Sequence, residues 1–228
     1  MSWRCSGKTN NELVSNLLRA HIITNERVVR AMRTVDRAHF TKSKHDAYND
    51  SPQYIGFGAT ISAPHMHGYA LENLHKYLQP GMCALDVGSG SGYLTACMAE
   101  MVGDNGRVVG IDHIPGLVEG SKKVLDRHYS EWMQSERIKV LTGDGREGYP
   151  DEAPYDSIHV GAASSHAPTE LIAQLKSPGR LFVPVGSFSQ NIVVYDKDCN
   201  GNVKEHEIMA VKYVPLTDPE KQCNEEFG

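Results

Sequence analysis

No basic stripe and no block of like charge appears anywhere in this chain. Its 23 Lys and Arg residues are outnumbered by 28 Asp and Glu, for a formal net charge of -5 at pH 7. Phosphate binding needs clustered Lys and Arg, so a nucleic acid is excluded as the main partner. Nowhere do about 18 apolar residues follow one another, the length a membrane span requires. The N-terminal stretch holds no apolar run of signal-peptide type, so neither membrane insertion nor secretion is expected, and the protein is placed in the cytosol. Cysteine is scarce as well: Cys5, Cys83, Cys97, Cys199 and Cys223 are odd in number, widely spaced and without a CxxC pair. That excludes a disulfide framework and a cysteine-built zinc site, and leaves Cys83 and Cys97 as small apolar core residues. Internal repeats and low-complexity tracts are also missing. What remains is 228 residues, 40% apolar and 22% charged, the make-up of an ordinary globular protein large enough for one substantial core.

Two short amphipathic helices open the sequence. Leu13, Leu17 and Leu18 recur at helical spacing, as do Val28, Val29 and Met32 after a cap at Thr24. From Thr41 to Ala63 the periodicity disappears into a stretch rich in Gly, Ser, Asp and Tyr, too long for a plain connection and therefore a candidate functional loop. A helix follows from Pro64, a good first-turn residue, with Met66, Tyr69, Ala70, Leu74 and Leu78 on one side.

The pattern then changes. Cys83 to Val87, Arg107 to Ile111, Ile138 to Gly143, Tyr155 to Val160 and Arg180 to Val185 are short apolar runs. Helical segments at Tyr93 to Met101, Pro115 to Tyr129 and Pro168 to Leu175 alternate with them. Continuously apolar strands separated by helices predict an α/β fold, a doubly wound and mostly parallel sheet covered on both faces. The last third differs. Ile192 to Asp196 and Glu207 to Val214 flank Asn200-Gly201, a strong hairpin signal, so an antiparallel strand pair is predicted at one sheet edge.

The sharpest chemical feature is Leu85-Asp-Val-Gly-Ser-Gly-Ser-Gly-Tyr93, where the first core strand meets a helix. Glycines there let the chain turn tightly and let a ligand lie against bare main chain. A dinucleotide fingerprint would need glycine where Tyr93 stands. Asp86, awkward beside a pyrophosphate, suits the ammonium and sulfonium of S-adenosylmethionine. Asp112 closes the second strand, 24 residues after Gly88, where nucleotide-binding sheets hold a ribose diol with an acid. Asp144 closes the third strand, where an acid can receive an adenine amino group while Gly145 leaves room for the ring. Each of these aspartates has an alternative reading as a helix cap. Three acids at the carboxyl ends of successive strands nonetheless converge on one crevice, the place where open α/β sheets bind ligands.

The segments Tyr48 to Gly56 and Ala59-Thr-Ile-Ser-Ala-Pro-His-Met66 resemble the signature region of the protein-L-isoaspartate (D-aspartate) O-methyltransferase family, nearest its animal members. The stretches ALDVGSGSGY, VVGIDH, GDGREGY, APYDSIHVGAA and YVPLTDPEKQ follow in that family's order, so the resemblance covers nearly the whole chain. Ala59 stands where bacterial relatives often carry Gln. The resemblance implies a class I S-adenosylmethionine-dependent methyltransferase fold in a single domain over residues 1–228. Its expected parts are N-terminal helices and a substrate loop (1–80), a cofactor-binding core (81–190), and a C-terminal hairpin with a closing segment (191–228). It implies Ser62 as the active-site residue, with Ala59, Thr60 and Ile61 beside it and His65 beginning the helix behind. Asp86, Gly88 and Ser89 would hold the methionine moiety, Asp112 and His113 the ribose, and Asp144 with Gly145 the adenine; Thr217 and Gln222 would close over the cofactor. The implied partners are isoaspartyl proteins and peptides, met by a monomer.

The chemistry suits so short a set of parts. A carboxylate with a pKa near 4 is already anionic at neutral pH, so methylating it needs no general base. A metal at the His65-x-His67 pair lacks a third ligand, and His159, inside an apolar strand, reads as a core histidine. Ser62 has no G-x-S-x-G elbow around it, which excludes a hydrolase nucleophile. A methyltransferase with another substrate would need a different 41–63 segment. An NAD-dependent oxidoreductase fits Asp112 but neither Tyr93 nor Asp86, and a non-catalytic binding protein would have no use for the Ser62 segment.

Overall fold

The computed structural model describes residues 5–216. Two helices, α1 (Asn10–Arg19) and α2 (Glu26–Thr34), begin the chain. Thr9 caps the first, its side chain accepting from Glu12 N at 3.2 Å. Asn25, not Thr24, caps the second, accepting from Arg27 N at 3.0 Å. Thr24 is drawn instead to Glu72, which takes its N–H at 2.7 Å. Leu13, Val14 and Leu17 form the buried stripe of α1, while Leu18 of the expected set faces outward.

The segment without periodicity holds a small antiparallel hairpin, β1 (Gln53–Gly56) and β2 (Ala59–Ile61), with a register irregularity between Tyr54 and Gly56. Strands this short show too few alternations to read from sequence. Helix α3 (Pro64–Leu74) follows with Pro64 in its first turn, and a 3-10 turn (His75–Tyr77) carries the chain to Leu78.

The core is a seven-stranded sheet in the order β5-β4-β3-β6-β7-β8-β9. Its parallel part comprises β3 (Cys83–Val87), β4 (Arg107–Asp112), β5 (Ile138–Thr142), β6 (Tyr155–Val160) and β7 (Leu175–Val185). Helices α4 (Tyr93–Val102), α5 (Pro115–His128), α6 (Ser130–Gln134) and α7 (Thr169–Ala173) lie between those strands in sequence. The expected third helix is shorter than predicted, because Leu175 already begins β7.

Alternate strand residues point to opposite faces. Ala84, Val108, Val140 and Phe182 join the core formed with α1, α2, α4 and α5, whereas Leu85, Val109, Ile111 and Leu181 join one with Leu171 of α7. This is the doubly wound arrangement predicted from the apolar runs. Cys97 is buried in the first core, and Cys83 is half-buried beside the second. Strands β8 (Gln190–Lys197) and β9 (Val203–Val211) extend the sheet, β8 antiparallel to β7 and β9 antiparallel to β8. The last strand begins before the predicted Glu207 because its ends are set by pairing with β8 across the turn rather than by burial. At that turn Asp198 takes the main-chain N–H of both Asn200 and Asn202, at 2.8 and 2.9 Å, while Gly201 N donates to the Asp198 carbonyl at 3.0 Å. No described helix is long and apolar enough to cross a membrane.

Candidate active site

Strand β3 has β4 on one side and β6 on the other, so the chain leaves it toward opposite halves of the sheet. A crevice opens at the carboxyl ends of such strands. The glycine loop after β3 is pinned to both neighbours. Gly88 N and Ser89 N donate to the Ile111 carbonyl at 2.8 and 3.1 Å, and Gly161 N donates to the Val87 carbonyl at 2.8 Å. Gly88 has φ +71°, a left-handed conformation that strains other residues.

Two compartments share this loop. Thr60, Gly88, Gly90 and Gly161 line both. Ala59, Asp112, His113, Asp144 and Gly145 border the outer one, and Ile61, Ser62, Asp86 and Ser89 the inner one. The structure thus brings together most of the residues singled out from sequence. His65 lies on neither wall. Its N–H and Nδ1 sit 2.9 and 2.8 Å from Asp50 Oδ1, which fixes the start of α3 behind the crevice. Thr217 and Gln222 fall outside the described residues. The segment just before them, Val214 to Leu216, borders the outer compartment and is tied to Ala163 by two main-chain hydrogen bonds of 2.8 Å.

The three acids differ in environment. Asp86 is buried, with Oδ2 accepting from Thr95 Oγ1 at 2.6 Å and Oδ1 2.8 Å from His159 Nδ1. Its charge reaches the inner compartment with both oxygens already engaged. Asp112 accepts from Gly90 N at 2.9 Å and Ile114 N at 3.0 Å, and burial pushes its carboxyl above the ordinary range. Ile114 precedes the first residue of α5, and that helix has no side-chain cap, so Asp112 orders the turn ahead of α5 and walls the outer compartment rather than capping the helix. Asp144 meets the Arg146 guanidinium at 2.6 Å, and that hydrogen bond holds it below the usual carboxylate range. At Gly145 a Cβ would overlap Val87 Cγ1. Packing against β3 therefore demands glycine there, independently of any room it leaves for a ring.

Four further residues escaped the sequence reading. His159 is buried as expected, yet it also lines the inner compartment beside Asp86. His67 lines the same wall, and burial, then the charge of Arg37, keeps its imidazole well below the usual pKa. On a helix, residues two apart point to different faces. His65 and His67 accordingly diverge, and no described group of His, Cys, Asp and Glu is arranged to hold a metal. Tyr213, after β9, has its phenol pushed up to about 12 by burial, with a hydrogen bond to Ser62 working against that. Arg37, in a 3-10 turn (Arg37–His39), donates to the Ser62 carbonyl at 2.8 Å. Chain reversal over tens of residues brings Arg37, His159 and Tyr213 to the Ser62 segment, and no local spacing signals it.

The chain is similar to known proteins over almost its full length. A protein-L-isoaspartate O-methyltransferase of Caenorhabditis elegans is 48% identical over 225 residues, covering 98% of this chain and 99% of that one. A wheat (Triticum aestivum) protein of the same name is 49% identical over 217 residues, with 95% and 94% covered. Among solved structures, a Plasmodium falciparum protein described as a protein-L-isoaspartate O-methyltransferase, crystallised with S-adenosyl-L-homocysteine, superposes with a TM-score of 0.86 at 34% identity, covering 92% of this chain and 99% of that chain. The model of the protein-L-isoaspartate (D-aspartate) O-methyltransferase family matches residues 8–221. This chain belongs to that family.

Proposed function

We propose that the outer compartment takes the nucleoside end of S-adenosylmethionine and that the inner one brings a substrate carboxylate to Ser62. The chain methylates the free carboxylate of L-isoaspartyl and D-aspartyl residues in damaged proteins and peptides, the step that initiates their repair. The observation that supports these residue roles is the meeting of the two compartments at Thr60, Gly88, Gly90 and Gly161. Asp112 and Asp144 line one compartment, and Asp86 and the Ser62 segment line the other.

S-adenosylmethionine, when bound, supplies a methyl made electrophilic by its sulfonium. The residues present fit such a ligand. Ser89 Oγ is buried at the inner wall without a hydrogen-bond partner among the described residues, and a buried hydroxyl normally has one. Asp112 keeps lone pairs beyond the two it gives to main-chain N–H groups, enough for a ribose diol. Asp144 with Gly145 would meet the adenine, and Asp86, Gly88 and Ser89 the methionine end. Thr217 and Gln222 are assigned to closing the crevice.

On the acceptor side Ser62 orients a carboxylate that is already charged. An anion meeting a cation cancels charge as the bond forms, so a dry, aligned site provides most of the acceleration. No described residue has to remove a proton. The decisive experiment supplies labelled methyl donor with paired peptides that differ only in Asp against isoAsp. Label confined to the isoAsp peptide supports the reading, and equal label in both defeats the repair assignment.

The same proposal covers the rest of the molecule's economy: a division into 1–80 for the acceptor side, 81–190 for the donor and 191–228 for closure, in a cytosolic monomer. Proteins rather than nucleic acids are its partners, as the net charge of -5 favours. Cell fractionation and light scattering test location and oligomeric state.

A further inference from the structure

Arg37 is fully buried, and the reaction as derived above gives it nothing to do. A buried guanidinium is costly unless its hydrogen bonds and charge are answered. Its partners are the Ala47 carbonyl (Nε, 3.1 Å), the Ser62 carbonyl (Nη2, 2.8 Å) and His67 Nδ1 (Nη1, 3.3 Å), and the group lies 5.6 Å from the centre of the Tyr93 ring. None of these partners is a carboxylate, although the buried Asp50 lies near enough for its charge to favour the guanidinium. Ala47 precedes β1 and Ser62 follows β2, so one side chain ties both roots of the hairpin to α3.

The contact with His67 fixes more than position. A guanidinium can only donate, so the Nδ1 it meets must be bare. A neutral imidazole with a bare Nδ1 has its proton on Nε2. Burial and the neighbouring cation both disfavour the doubly protonated ring. His67 lines the inner compartment, and no described residue hydrogen-bonds its Nε2.

We infer that Arg37 is a positioning residue of this site: it holds His67 as the Nε2–H tautomer and anchors the Ser62 main chain, so that the inner compartment offers a carboxylate a fixed donor backed by a buried guanidinium. This rests on the reading of the crevice given above. The carboxylate is either that of the amino-acid end of the methyl donor or the isoaspartyl group itself, and binding measurements separate the two.

The first test needs no mutant of Arg37. In protein labelled with ¹⁵N-histidine, the His67 ring is identified among the 11 histidines as the signal lost in His67→Gln. Wild type should show a bare Nδ1 and a protonated Nε2 at neutral pH; a proton on Nδ1 overturns the proposal. The second test is a double-mutant cycle with Arg37→Met and His67→Leu. Each single change should lower kcat/KM on an isoAsp peptide by about tenfold or more, the loss of one hydrogen bond to a charged group. If Arg37 acts through His67, the double mutant should be hardly worse than the poorer single, whereas independent multiplying losses would mean a merely structural residue. Arg37→Lys, which can still donate to Nδ1, should recover part of the activity. Should Arg37→Met not fold, the cycle is run with Arg37→Lys, and the wild-type tautomer decides independently.

Calorimetry with S-adenosylhomocysteine then names the carboxylate. Weakened binding in Arg37→Lys points to the donor, and intact binding with a raised peptide KM points to the isoaspartyl group. Both parameters unchanged would defeat the inference. A wild-type enzyme inactive on isoAsp peptides would sink the functional reading while leaving the tautomer result standing.

Discussion

The two walls of the crevice are built by different means. The wall proposed to hold the methyl donor is made of the sheet itself: the glycine loop hangs from the Ile111 carbonyl, and Asp112 is gripped by the N–H groups of Gly90 and Ile114. The wall proposed to meet the methyl acceptor is a hairpin of short strands, with Tyr54 and Phe57 exposed on it and Arg37 at both its roots. One wall follows from making a parallel sheet at all, and the other is tied on by a few long side chains. Changes on the first wall should therefore affect binding and folding together, whereas removing the Ser62 hydroxyl from the second should affect turnover alone.

The largest effect is expected at Asp112→Ala. Losing a charged hydrogen-bond acceptor costs about 1.5–3 kcal/mol, so donor affinity should fall roughly 10- to 150-fold. The Gly90 and Ile114 amides lose their partner as well, and melting should occur at a lower temperature. Unchanged affinity by calorimetry in a folded mutant would remove Asp112 from the site.

Gly145→Ala sharpens the same contrast from the packing side. The added methyl meets Val87, fully buried in β3, and overpacking of this kind costs about 1–3 kcal/mol. Denaturant titration should detect the loss, together with weaker donor binding. A mutant as stable as wild type would show that the sheet end yields to an added methyl without cost.

Ser62→Ala tests the other wall. Turnover on an isoAsp peptide should fall by about tenfold, within the range for one hydrogen bond to a charged group, while S-adenosylhomocysteine affinity and melting temperature stay near normal. A comparable loss of donor affinity would erase the distinction between the walls.

The smallest effect is one of pH. Burial raises the Asp112 carboxyl above its ordinary 3.8. A carboxyl whose pKa is raised by folding adds stability that is complete in acid, below the unfolded value, and lost as pH rises through the folded value. Binding a ribose diol needs the carboxylate, so donor affinity runs the opposite way and climbs across that same window. Calorimetry and melting curves on wild type and Asp112→Asn should show both trends in the first and neither in the second.

How much of this was legible in the sequence follows the same divide. The parallel strands announce themselves as continuous apolar runs, and the acids at their ends sit where the fold must place them. The hairpin Gln53–Ile61 was invisible because its strands are too short for a pattern, and β9 was displaced because its exposed residues leave no alternation to read. Ser62 came from resemblance to a family, not from spacing. Arg37, His67 and Tyr213 lie 25, 5 and 151 residues from Ser62 in the chain, and nothing local marks them as neighbours. His159 was legible as buried but not as the partner of Asp86, since cross-strand register fixes that pairing.

The turn at Asp198 bears on how this protein ages. Isoaspartate arises when the backbone nitrogen after an Asn attacks that side chain, most readily when a freely turning glycine follows. The chain contains two such pairs, Asn200-Gly201 and Asn105-Gly106. In both, the attacking nitrogen is already occupied: Gly201 N donates to the Asp198 carbonyl at 3.0 Å and Gly106 N to the Gly103 carbonyl at 3.1 Å. Asp198 also holds the N–H groups of Asn200 and Asn202, so the loop would have to come apart before the ring could close. A repair enzyme so built resists the lesion it corrects for as long as it stays folded, and becomes its own substrate chiefly by first unfolding there. Peptide mapping after native and denatured storage should find isoaspartate at these sites far sooner in the denatured sample, and Asp198→Ala should narrow the gap at Asn200 alone.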